Sequence, residues 1–233
     1  MKNASLLFLL LVCSGTVLEG QSSPKALIHE VNRKFAQVRD YSADLNMRFN
    51  IPSVTLEPVS GKVFYKAPDK FRIKATGILF MPRQNPYFAL QSVRDTNAFT
   101  AVLSGQEQIG GVKTSVINVI PNDNAGDLIL ARLWVDPVRH LILKSQLTTR
   151  SSGVLTAEQF YGAQQSKGLP DRIAFSMDIA RFKVPKTLAV DLNAKGKNQK
   201  LPEKGLAVIE LTFSAYKLNQ KLPDSVFQEA AGK

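Results

Sequence analysis

Hydrophobic positions change period once along this chain. From Ser23 the apolar residues Leu27, Val31, Phe35 and Val38 recur every three or four positions, while Lys25, Arg33, Lys34 and Arg39 lie mostly off that stripe. This is the spacing of an amphipathic helix that lays one side on a core. Ser23-Pro24 supplies its start, a hydroxyl for the N-cap and a proline where a missing N–H costs nothing. The helix is expected to stop near Asp40-Tyr41. After it the period falls to two: Ala43, Leu45, Met47 and Phe49 alternate with Asp44, Asn46 and Arg48, the pattern of a half-buried strand.

Strand patterns continue over 61–66, 71–75, 87–93, 98–103, 112–120, 128–135, 140–148, 154–161, 172–179 and 206–216. Turn residues divide them, at Ala67-Pro68-Asp69-Lys70, Gly110-Gly111, Asp123-Asn124, Asp136-Pro137, Ser151-Ser152-Gly153 and Gly168-Leu169-Pro170. Short strands at regular intervals predict a large antiparallel sheet, curved or closed. Two stretches break the rhythm. Residues 79–86 are apolar and then proline-broken, as a flap or short helix is, and 185–205 hold five lysines with little periodicity, as an exposed loop or a hairpin excursion does. With no internal repeat and no Gly/Ser hinge, residues 21–233 read as a single domain.

The first twenty residues stand outside that domain. Lys2 precedes the apolar run Leu6–Cys13 and then Ser14-Gly15, the layout of a secretory signal peptide. The run is shorter than the ~20 apolar residues that span a bilayer. Cleavage after Gly20 or after Gly15 both fit. Leu10-Leu11-Val12-Cys13 offers a second reading, a lipobox whose Cys13 is lipidated, although Val12 stands where a small residue is usual. The periplasm is the expected compartment, with an outer-membrane anchor at Cys13 the alternative.

Composition then narrows the chemistry. Among 233 residues there are two histidines and one cysteine, too few for a Cys/His zinc site or a disulfide framework. No G-x-S-x-G elbow, P-loop, H-E-x-x-H or Rossmann fingerprint occurs, and neither His29 nor His140 has a sequence context that nominates a triad. The chain therefore reads as a non-enzyme that needs no cofactor and no metal. Lys and Arg number 30 against 19 Asp and Glu, a formal charge of +11 that survives loss of residues 1–20. These cations are dispersed and lack any groove-reading or base-stacking signature, so nucleic acid is not the expected partner. Anionic headgroups fit the charge better, at about 1 kcal/mol per cation near such a surface.

Gly61-Lys62-Val63-Phe64-Tyr65-Lys66-Ala67-Pro68-Asp69-Lys70-Phe71-Arg72 resembles the G-x-h-x-h-x-x-P-x-x-F-R stretch of the LolA/LolB-like periplasmic lipoprotein carriers. The preceding amphipathic helix, Leu133-Trp134-Val135-Asp136, Gly168-Leu169-Pro170-Asp171 and the terminal Leu222–Phe227 stand in the family's order. The resemblance implies a mainly β, α+β fold: one curved antiparallel sheet forming an unclosed half-barrel under a helical lid. It also implies a carrier that holds acyl chains of lipoproteins or lipids in an apolar concavity and moves them toward the outer membrane. Donor and acceptor proteins of the envelope, transient membrane contact and a monomeric state come with it. Ala67 stands where the carriers place a lid-holding arginine, so lipid binding carries over more directly than their opening mechanism. An envelope sensor or interaction module of the same architecture is the alternative.

The residue pattern converges on the same concavity. The candidate lipid-binding set is Leu27, Val31 and Phe35 of the helix, Leu45, Met47, Phe49, Val63, Tyr65, Phe71 and Ile73 of the first strands, and Phe80 and Met81 of the flap. Methionine re-packs around irregular guests. Each buried acyl methylene contributes about 0.8 kcal/mol, so a chain can be held without covalent chemistry.

Overall fold

The computed structural model describes residues 23–52, 56–75, 95–123, 126–151, 153–178 and 205–228. The expected strand at 87–93, the flap with Phe80 and Met81, most of the lysine-rich loop, the leader and Cys13 lie outside them. Helix α1 is Pro24–Phe35; Ser23 Oγ accepts from Ala26 N–H at 3.2 Å, the expected cap. The helix ends a turn earlier than its apolar stripe suggested. Val38 falls in the short link to the sheet and is buried there.

Among the described residues ten strands follow: β1 Asp40–Asn50, β2 Val59–Lys66, β3 Lys70–Ala75, β4 Phe99–Ile109, β5 Val112–Pro121, β6 Leu128–Asp136, β7 Leu141–Thr149, β8 Gly153–Phe160, β9 Arg172–Asp178 and β10 Leu206–Leu218. They form one antiparallel sheet in the order β3-β2-β1-β10-β9-β8-β7-β6-β5-β4. β3 and β4 are its two ends and do not pair, so the sheet is a curved half-barrel with a helix against it, as the sequence led one to expect. β4 runs six residues beyond the apolar stretch that predicted it, because its polar half pairs with β5 through the Gly110-Gly111 turn.

Register irregularities break the alternation at several places. Between Ser42 and Asp44 the facing strand β10 carries an additional residue near Ala215, whose φ is 50°. Phe213 and Tyr216, three apart, therefore both reach the core, which strict alternation forbids. A slip of the same kind at Trp134/Val135 sets Val135 opposite Ile142 and brings Ile142 and Ser145 to one face.

Candidate functional site

The concave face is built from the strand positions that alternate inward. One row can be followed by register from Phe49 through Ile209, Phe175, Ala157, Ser145, Leu133 and Ile117 to Leu103, crossing eight strands. At about 4.8 Å per strand that row is roughly 34 Å long. Ser145 is its one hydroxyl, and Oγ is buried without a hydrogen-bond partner. A parallel row holds Ala207, Met177, Leu155, Leu147, Ala131, Val119 and Ala101. Trp134 points away from the core, donates from Nε1 to Glu107 Oε2 at 2.7 Å and lies under Lys144 Nζ, while the outward Val102, Ile120, Ile129 and Val154 are exposed.

The candidate residues divide among three clusters. Leu27 packs with Phe99, Ile117 and Leu133 on the β4–β7 half, with Val31 beside them. Leu45 and Met47 belong to the central cluster with Phe175, Ile209 and Leu211, and Phe49 and Ile73 pack against it. Val63 and Tyr65 are fully buried with Val38, Tyr41 and Leu169, and Phe35, Phe71 and again Ile73 lie on that group. Phe35, Tyr41 and Tyr65 form a ring stack with centroids 5.3 and 5.4 Å apart, extended by Tyr216 at 5.5 Å from Tyr41. The ten described candidates thus do share the inner side, but as three packed groups. Phe80 and Met81 lie outside the described residues.

Sequence reasoning missed the larger share of the lining. Phe175, Ile209, Leu211, Leu133 and Ile117 come from strands whose alternation was visible but whose inward phase was not, since either face of an isolated strand can be the buried one. Ile28, 2% exposed, was missed because the helical stripe was counted from Leu27 alone.

Between α1 and the sheet is a recess lined by Val31, Phe35, Leu141, Ile142, Tyr161 and His140, with a central space of about 20 Å³. That is room for one or two waters. Around it, Lys34 Nζ donates to Arg139 carbonyl, and Tyr161 OH donates to Ile142 carbonyl at 2.9 Å. Burial pushes the Tyr161 and Tyr216 phenols above the usual range, and Tyr41 and Asp171 add to the effect on Tyr216. Burial also lowers the Lys34 ammonium. At Asp136 burial pushes the other way, but the N–H groups of Arg139 and Val138 and the Arg139 guanidinium outweigh it and hold the carboxyl below its usual value.

The model of the MucB/RseB N-terminal domain matches residues 64–183, more than half of the chain. The chain belongs to that family. No curated protein matches it. Among solved structures, a DUF1329 family protein from Desulfovibrio piger aligns with a TM-score of 0.55 at 12% identity, over 89% of this chain and 98% of its own. A LolA superfamily protein from Nitrosomonas europaea gives 0.52 at 15%, covering 86% and 96%. A putative outer membrane lipoprotein-sorting protein domain from Vibrio parahaemolyticus gives 0.53 at 12%, covering 88% and 96%. At these identities the likeness is one of fold, and the LolA-like fold read from the Gly61–Arg72 stretch is borne out. Among the described residues no helix is long and apolar enough to cross a membrane.

Proposed function

We propose that this protein binds acyl chains of lipids or lipoproteins against the concave face of its sheet and carries them across the periplasm, with no covalent step. The observation that carries the reading is the apolar row from Phe49 to Leu103, continuous over eight strands of an unclosed sheet. A sheet that does not close leaves one side of such a row to be covered by something other than its own strands. In the arrangement described, α1 closes on part of it, and the recess between Val31, Phe35 and Ile142 is too small for an acyl chain. Uptake at that recess would move α1 off β4–β7, breaking the Lys34–Arg139 hydrogen bond and uncovering Leu27 and Ile28. The leader-like first twenty residues support export, and the periplasm is the compartment in which the carrier would work.

Native mass spectrometry of the protein recovered from the cell envelope tests this directly. An acyl-bearing ligand in near-stoichiometric amount is the expected result. Protein that is uniformly free of lipid, including after incubation with lipoprotein or phospholipid, overturns it. The match to MucB/RseB favours one second reading, an envelope sensor module that acts through a protein partner. A stable protein partner recovered without lipid in the same experiment would select it. Intact-mass analysis of the N-terminus decides whether Cys13 carries a diacyl group.

A further inference from the structure

The outer side of the β2–β3 hairpin carries charge that the concave site does not use. Val63 and Tyr65 point inward, so Lys62, Phe64 and Lys66 of β2 point out, as do Lys70, Arg72 and Lys74 of β3. Register sets Lys62 opposite Lys74 and Lys66 opposite Lys70, with Phe64 opposite Arg72 between them. Like charges directly opposite one another weaken a ladder. Five of these six outward positions are nonetheless cations.

Two carboxylates answer them. Asp44 meets Lys62 at 3.0 Å, and Asp224, from the closing 3-10 turn, meets Lys66 and Lys70 at 2.7 Å each. Those two lysines hold the Asp224 carboxyl down at about 2. Lys74 lies over the Phe64 ring, 5.4 Å from its centroid. Arg72 has a buried Nη1 with no hydrogen-bond partner, which leaves a guanidinium donor unsatisfied beside Phe64.

We propose that this face is a docking surface for the headgroups of an anionic phospholipid bilayer. The charge is complementary, with five cations against two carboxylates. The shape suits an extended plane of anions: among the described residues, cations sit on alternate residues of two adjacent strands, on the outer face of the sheet. Four of the five are lysines, whose long stems let the ammonium follow an irregular array of phosphates. Phe64 at the centre supplies an aromatic ring at the depth where rings collect in a membrane interface. The surface lies on the opposite side of the sheet from the concavity, so the inference holds whether or not acyl chains bind there.

The test is partition of the whole purified chain onto vesicles of phosphatidylcholine containing phosphatidylglycerol, against vesicles of phosphatidylcholine alone. The protein should sediment with the anionic vesicles, detach as salt is raised, and ignore the neutral ones. Lys70→Gln combined with Lys74→Gln should weaken partition about 30-fold, from about fivefold for each cation removed near a charged surface. Lys25→Gln combined with Lys113→Gln removes the same charge at the β4–β5 end and should weaken it less than threefold. Lys74→Gln alone should weaken partition about fivefold; it relieves the opposition to Lys62, so its melting temperature should not fall and its loss of binding cannot be assigned to unfolding. Equal losses from the two double variants would show that only net charge matters and overturn the assignment, as would equal binding to neutral vesicles.

Discussion

At the scale of single residues, Gly61 shows how the family-like stretch is tied to the sheet. A Cβ on Gly61 would stand 2.4 Å from the Lys74 carbonyl oxygen and 2.9 Å from Ala75 Cα, both backbone positions of the paired strand. Gly61→Ala must therefore push β3 away, and a loss of about 1–3 kcal/mol is expected in urea denaturation, the usual cost of overpacking. The glycine was conspicuous in the sequence, yet its reason was not, because Ala75 approaches it only through the hairpin register. Tyr161 and Tyr216 make a second case. Their phenols ionise near pH 10 in an unfolded chain and above that when folded, so the stabilisation they lend is intact below about pH 10 and is lost as pH rises beyond it. Melting temperature should decline steeply with alkalinity above that point. Tyr161→Phe combined with Tyr216→Phe should flatten the decline, and an unchanged slope would remove these two groups as its cause.

Elements carry the next level of explanation. Helix α1 forms locally, through its Ser23 cap, Pro24 and an apolar stripe, and all three signals are present in the sequence. What it leans on is a matter of the sheet: Leu27 and Ile28 sink among Phe99, Ile117, Val119 and Leu133, while Val31 and Phe35 stay partly open above the recess. Ile28→Ala should lower stability by about 2–4 kcal/mol, as large-to-small changes at buried positions do, whereas Val31→Ala should cost less than half as much. Chemical denaturation of the two variants makes the comparison. Similar losses would place the helix differently on the sheet. The strands were legible as strands by their alternation, but bulges defeat that alternation locally, as at Phe213 and Tyr216 where two inward residues stand three apart.

For the molecule as a whole, the controlling fact is that β1 pairs with β10 and the ends β3 and β4 remain apart. That pairing joins the first and last of the ten described strands into one surface with a single inner side. If acyl chains lie along that side, a charge placed anywhere on it should disturb uptake. Phe49→Asp and Phe71→Asp are expected to reduce lipid binding at least tenfold in an acyl-chain fluorescence titration, with Lys197→Asp near wild type. Melting curves alongside would confirm that the variants are folded. The same loss from all three would sink the concavity as the binding site. The two phenylalanines belong to different packed groups, one central and one under the tyrosine stack, so their common effect would also require those groups to open together.

The amino-acid order alone determined the leader-like start, the helix and its cap, the alternating strands and the absence of a nominated nucleophile. These are local: each depends on residues within a few positions of one another and on the period of the secondary structure they adopt. Tertiary structure decided which side of each strand faces inward, which strands adjoin, how three apolar groups share the concave face, and that four lysines of one hairpin stand opposite one another in two pairs, with Arg72 between them, on its outer face. Those outcomes rest on pairings between residues as distant as Tyr41 and Leu218, whose register is set by the whole sheet closing over its apolar side.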